Sequence, residues 1–336
     1  MASRLRTALC ERLGVELPIV QAPMGTLAVP ALAAAVSNAG ALGMLGVTWL
    51  DLDMTRAFIR ETRRLAARPF GVNLALAWDQ HERLAVCLEE GARIVSLFWG
   101  DPTPYVPAIR AAGATLVQTV GSAAEARGAV AAGADVIVAQ GWEAGGHVWG
   151  QVASLPLVPC VVDAVRPTPV IAAGGIGDGR GVAAALVLGA AGAWLGTRFL
   201  ASEEIFVHPD YRERVLRAAE TDTYYTTLFD VGWEDAPHRT LRNATVDAWE
   251  RAGKPPHGRR PGEGDTIAAL PDGVPVARYS EIPPLPGMTG DLAELVHYAG
   301  QSAGLVHRVQ PAAEIVRELA DETTRALAAG AGLATP

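Results

Sequence analysis

Residues 140–150 read QGWEAGGHVWG, a glutamate, two adjacent glycines and a histidine set between two tryptophans. Gly145 and Gly146 carry no Cβ and tolerate positive φ, so a flat ring can lie against this backbone. His147 would then project over or beside that ring. An imidazole in such a place donates a hydrogen bond, takes a proton, or holds an anion when charged. His81 falls early in a helical stretch, and His208, His238, His257, His297 and His307 are expected on the surface or in an insertion. His147 alone follows an apolar strand-like run directly, which makes it the candidate catalytic residue.

A second kind of chemistry is suggested by glycine-rich backbone. AAGGIGDGRG brings Gly174 and Gly175 after one apolar run, and LGTRFL brings Gly196 and Thr197 after the next. Glycine lets amides approach an anion, the following helix N-terminus adds partial positive charge, and a threonine hydroxyl can donate. The same glycines would also serve tight turns, but two clusters on neighbouring strands favour a phosphate. Asn73, Gln118 and Gln140 are amides at strand ends, able to donate and accept along a ring edge or to satisfy loop backbone. Ala22-Pro23-Met24 closes the first strand with backbone toward the same end. Trp99, Trp142 and Trp149 are expected as core or lid packing; if they line a pocket, its ligand has an apolar part.

These residues need a scaffold that gathers strand ends. Apolar runs at 17–21, 41–45, 70–74, 94–98, 115–119, 136–140, 170–173 and 193–196 alternate with helical stretches at 30–38, 53–66, 80–90, 104–112, 123–132, 155–165 and 180–188. Continuous apolar runs mark strands buried on both faces, hence a parallel sheet. Eight such units fit an α/β fold of the (β/α)8 TIM-barrel type, with chemistry at the C-terminal rim. An open doubly wound sheet competes, yet no GxGxxG opens the first helix. The expected organisation is a barrel over 1–205, a lid-like insertion over 206–290 and a return to the barrel over 291–336. The insertion is rich in Pro, Gly, Arg and aromatics, with short helices at 210–219 and 236–252. A terminal helix over 311–328 places Ile315, Leu319 and Leu327 at helical spacing.

Composition narrows the partners. The 336 residues are 50% hydrophobic and 19% charged with a net charge of -8, which disfavours nucleic acid and anionic membrane surfaces. Lys254 is the sole lysine. Cys10, Cys87 and Cys160 are odd in number and far apart, with no metal-ligand spacing and no disulfide framework. A reducing cytoplasm is the expected setting. The uncharged stretch 181–197 is short and splits into a helix and a strand rather than a membrane span.

QAPMG, GVNLAL, QGWEAGGHVWG, AAGGIGDGRGVAAALVLGA, LGTRFL and YAGQSAGLV together resemble the nitronate monooxygenase family, formerly 2-nitropropane dioxygenases. The likeness runs from about 17 to 201 and resumes near Tyr298. It implies a barrel that binds FMN without a covalent link. Ala22, Pro23, Met24 and Asn73 would contact the flavin ring, with Gln118, Gln140, Gly145 and Gly146 along the same cofactor. Gly174, Gly175, Gly196 and Thr197 would hold the phosphate. His147 matches the active-site histidine, as base or as anchor for the substrate anion. The implied reaction is oxidation of an alkyl nitronate by O2 to a carbonyl compound and nitrite. The implied partners are that small anion and O2, with a homodimer open as the assembly. Two alternatives stand beside it: an FMN-dependent enoyl thioester reductase using NAD(P)H, and a flavin-binding partner protein without turnover. One departure is plain: Val148 and Trp149 both intervene before Gly150, where the family has one residue.

Overall fold

The computed structural model describes residues 5–333. Eight parallel strands form the barrel. They are β1 (Ile19–Gln21), β2 (Gly43–Gly46), β3 (Phe70–Ala75), β4 (Ile94–Phe98), β5 (Thr115–Val120), β6 (Val136–Gln140), β8 (Val170–Ala173) and β9 (Gly192–Leu195). Between β6 and β8 lies a two-residue strand, β7 (Gly146–His147), which leaves the barrel and joins another sheet. The barrel seam lies between β1 and β2, where the ladder is one bridge, Val20 to Leu42. Gln21 strengthens it: its buried Oε1 accepts from the Met44 N–H at 3.0 Å.

Side chains of alternate strand residues separate two apolar layers, as the pleat requires. Val136 and Val138 of β6 point into the barrel with Val117, Ile171 and Trp194. Ile137 and Ala139 point out to the helices. Leu9 and Leu13 of α1 (Ala8–Leu13) join the inner layer and plug the barrel opposite the C-terminal ends of its strands. The crossover helices are α2 (Pro30–Asn38), α3 (Leu52–Leu65), α4 (His81–Glu89), α5 (Val106–Ala111), α6 (Ala123–Ala132), α7 (Ser154–Val165) and α8 (Gly179–Val187). Helix α6 shows the local logic. The Ser122 hydroxyl accepts from the Glu125 N–H at its start, and Gly133 ends it at φ 117°.

Beyond β9 come α9 (Pro209–Arg217), β10 (Thr223–Thr226), β11 (His238–Leu241) and α10 (Ala244–Arg251). The helix expected over 236–252 therefore forms only in its second half. Its first half is β11, which pairs antiparallel with β10 on one side and with β7 on the other. Pro237 and the partner strands override local propensity here. A small sheet of β12 (Thr266–Ala269), β13 (Pro275–Ala277) and β14 (Thr289–Gly290) follows. The terminal helix α11 (Ala312–Gly332) packs on α8 and α2 through Ile315, Val316 and Leu319. No helix among the described residues is long and apolar enough to cross a membrane.

Candidate active site

A cavity of about 630 Å3 opens at the C-terminal rim of the barrel. Val138, Ala173 and Trp194 form its floor, and Ala22, Pro23, Met24, Asn73, Gln140, Gly145, Gly146, His147, Gly174, Gly175, Gly196 and Thr197 all line it. Of the residues expected at a cofactor, only Gln118 stands apart. It is buried in mid-strand, its amide nitrogen 3.4 Å from the carbonyls of Gly100 and Thr119, and the neighbouring Thr119 lines the cavity instead. Alternation along β5 puts the two on opposite faces.

The loop carrying His147 is braced from four sides. Gln140 donates to the His147 carbonyl at 3.1 Å and accepts from the Trp149 N–H at 3.1 Å, so both ends of this amide are taken by the loop. Glu143 accepts from the Ser154 N–H and hydroxyl at 2.9 and 3.0 Å, which ties the loop to the start of α7. Arg239 of β11 is buried, donates to the Trp142 carbonyl at 2.9 Å and lies over the Trp142 ring at 4.6 Å. Gly145 passes so close to residues 299–300 that a Cβ would sit 2.3 Å from the Gly300 nitrogen. Gly146, at φ 72°, has nothing within 4 Å of its missing Cβ, so the backbone there faces open space.

The His147 ring packs against Trp233 at 4.1 Å between centroids, tilted by 31°, and has Tyr298 at 5.5 Å and His238 at 5.7 Å. Its Nε2 is buried with no hydrogen-bond partner. Burial, and then the neighbouring His238, hold its pKa well below the ordinary histidine value, so the ring is neutral near pH 7. His238 and His297, expected on the surface or in an insertion, are fully buried. Each ring donates through Nδ1 to a carbonyl two residues earlier, Ala236 and Leu295 respectively. Burial lowers their pKa values to about 4 and about 3.

At the end of the cavity beside β8 and β9, Gly174 and Gly175 turn at φ 93° and 72°. The Gly175 N–H meets no acceptor among the described residues. Thr197 Oγ1 accepts from the Gly300 N–H at 2.9 Å, which leaves its own proton to donate. The start of α8 is less available than the sequence suggests. Glu322 accepts from the Gly179 N–H at 2.9 Å, and Asp178 accepts from those of Arg180 and Gly181. Asn73 donates to Ser96 Oγ at 3.1 Å and keeps its Oδ1 free.

Sequence reasoning missed Trp49, Trp233, Glu281 and the packing role of Tyr298, all of which line the cavity. Glu281 is the instructive omission. Among the described residues its carboxylate has no hydrogen bond or ion pair, and burial pushes its pKa up to about 7. No local pattern marks it, because it lies in a proline-rich loop and reaches the cavity only through the fold. Tyr298 donates to the Glu281 carbonyl at 3.1 Å.

Comparison with known proteins agrees with this architecture. The nitronate monooxygenase family model matches residues 6–322. A nitronate monooxygenase of Paraburkholderia phytofirmans is 34% identical over 370 positions, covering 96% of either chain. A (3aS,4S,5R,7aS)-5-hydroxy-7a-methyl-1-oxo-octahydro-1H-indene-4-carboxyl-CoA dehydrogenase of Mycobacterium tuberculosis is 42% identical over 250 positions, 74% of this chain and 69% of that relative. The solved structure of FabK from Thermotoga maritima superposes with a TM-score of 0.81 at 32% identity, covering 98% of this chain and 99% of the other. The protein is thus an oxidoreductase and belongs to the nitronate monooxygenase family.

Proposed function

We propose that the protein binds FMN non-covalently in the barrel-rim cavity and oxidises an alkyl nitronate with O2, yielding a carbonyl compound and nitrite, with His147 as anchor for the nitronate and as the base when a neutral nitroalkane binds. The observation that carries this reading is the cavity-lining His147, neutral by burial, with an unpartnered Nε2. Nε2 of His238 and of His297 is buried without a partner too, but of the three rings only His147 lines the cavity, where a ligand can supply the missing partner.

The residues present fit a flat, anionic cofactor. The open space beside Gly146 accommodates a ring, Asn73 Oδ1 is free to accept from a ring N–H, and Gly175 and Thr197 are free to donate to phosphate. When bound, FMN would supply the electron acceptance that no side chain offers. The chain's own work is different. His147 removes the proton beside the nitro group when the substrate arrives as the neutral nitroalkane. Gln140, Glu143 and Arg239 hold the loop so that this ring stays in register with the cavity. Trp233 and Tyr298 exclude water from it. Residues 206–290 act as a lid, since Trp233, Leu270, Glu281, Ile282, Pro283 and Leu285 contribute to the wall.

A second reading, redox chemistry on an acyl thioester, draws support from the 42% identical relative named as a carboxyl-CoA dehydrogenase. Oxygen uptake and nitrite release with ethylnitronate test the first reading. Turnover of an acyl thioester with no nitrite from any nitronate would replace it with the second.

A further inference from the structure

Five of the eight tryptophans gather at one sector of the rim. Trp78 and Trp233 have centroids 4.8 Å apart, Trp99 lies 4.9 Å from both Trp233 and Trp149, and Trp49 is 5.9 Å from Trp78 and from Trp233. They come from the segments after β2, β3, β4 and β7 and from the insertion, so the cluster is assembled by the fold rather than by one element. It starts inside the cavity, where Trp233 packs against His147 and Trp49 shares the wall. It ends outside, where Trp49, Trp78 and Trp149 are 43%, 37% and 39% exposed. Leu52 and Met54, at the start of α3 beside Trp49, are exposed as well.

A purely structural cluster would bury these rings. Here the indole N–H of Trp149 donates to Glu125 at 2.7 Å, while those of Trp49, Trp78, Trp99 and Trp233 have no partner among the described residues. Trp99 is moreover held at φ 64°, a conformation that favours glycine and strains a bulky side chain. A contiguous aromatic strip that runs from a catalytic cavity to solvent is a binding surface for an apolar ligand.

We infer that the substrate is an amphiphile whose polar reacting group sits at His147 and whose apolar chain or fused-ring body runs out of the cavity over Trp233, Trp49 and Trp78. Short nitroalkanes would fill only the inner part of this site. The inference rests on the cavity being the substrate site, and not on which oxidation occurs there.

Unreactive straight-chain amides, from butyramide to decanamide, separate the two questions because they bind without turnover. Binding to the FMN-loaded protein is followed by quenching of tryptophan fluorescence and by the flavin difference spectrum. Affinity is expected to rise by about two- to four-fold per methylene beyond hexanamide, as for apolar surface leaving water. Trp78→Ala should remove most of that increment while butyramide binds as before, and Trp78→Phe should restore part of it. A flat chain-length series in the unaltered protein overturns the inference. So does a Trp78→Ala loss that is equal for butyramide and decanamide.

Discussion

At the residue scale, His147, Gly145 and Glu281 each make a distinct demand on the cavity. His147→Ala should retain FMN, read from its visible absorbance, and lose about 10²–10⁴-fold in turnover, the usual contribution of a positioned base. Loss of the flavin together with the activity would make the imidazole a structural part. Gly145→Ala forces a Cβ against the Gly300 backbone, so residues 143–147 must shift. Overpacking of this kind costs about 1–3 kcal/mol, and a reduced melting temperature together with weaker FMN binding is the expected result. Glu281 has a raised pKa, so its neutral form is favoured by the fold. Its contribution to stability is present below about 4.5, the ordinary value, and is lost as pH rises toward about 7. Glu281→Gln should therefore melt higher than the parent at pH 8 and similarly at pH 4. His147 was legible in the sequence because glycines, a strand end and an imidazole coincide within a few residues. Glu281 and Trp233 were not, because only the tertiary path of a proline-rich segment brings them to the cavity.

At the scale of elements, the barrel strands announce themselves as apolar runs, and the helices between them carry caps and terminal glycines. The exceptions are the short strands β7 and β11. Neither has a periodicity of its own; β7 is a strand because β11 lies beside it, and β11 because β10 and β7 flank it. The expected helix over 236–252 failed at that pairing. The expected helix-terminal phosphate site was weakened in the same way, since Asp178 and Glu322 already take the first amides of α8. That Glu322 contact also seats α11, and it requires glycine at position 179. A Cβ there would lie 2.5 Å from the Thr323 nitrogen. Gly179→Ala should loosen α11 from α8, seen as faster amide hydrogen exchange confined to α11 and neighbouring α8. Unchanged exchange would mean that the two helices shift apart without cost.

At the scale of the whole molecule, three neutral histidines set the acid limit, His238 and His297 fully buried and His147 half-buried at the cavity wall. His147, His238 and His297 have lowered pKa values, so their contribution is present above about 6.5 and is lost as pH falls. For His238 and His297 the loss should be roughly 1 kcal/mol per pH unit each between about 6.5 and about 4, by linkage. Glu281 works in the opposite direction over part of the same range, so the clean measurement is the urea midpoint of Glu281→Gln between pH 6.5 and 4.5. A fall across that interval is expected, above the range where most carboxylates titrate, and a flat midpoint would contradict the burial of these rings. The cavity itself joins barrel and insertion, which is why the substrate cannot be read from the barrel motifs alone.

The most direct test of the central claim is anaerobic mixing of the FMN-loaded protein with ethylnitronate and, separately, with NADH. Ethylnitronate should bleach the flavin absorbance, NADH should leave it unchanged, and admitting O2 after the nitronate should restore the colour with nitrite in solution. Bleaching by NADH with an inert nitronate, or a protein that takes up no FMN, would contradict that claim.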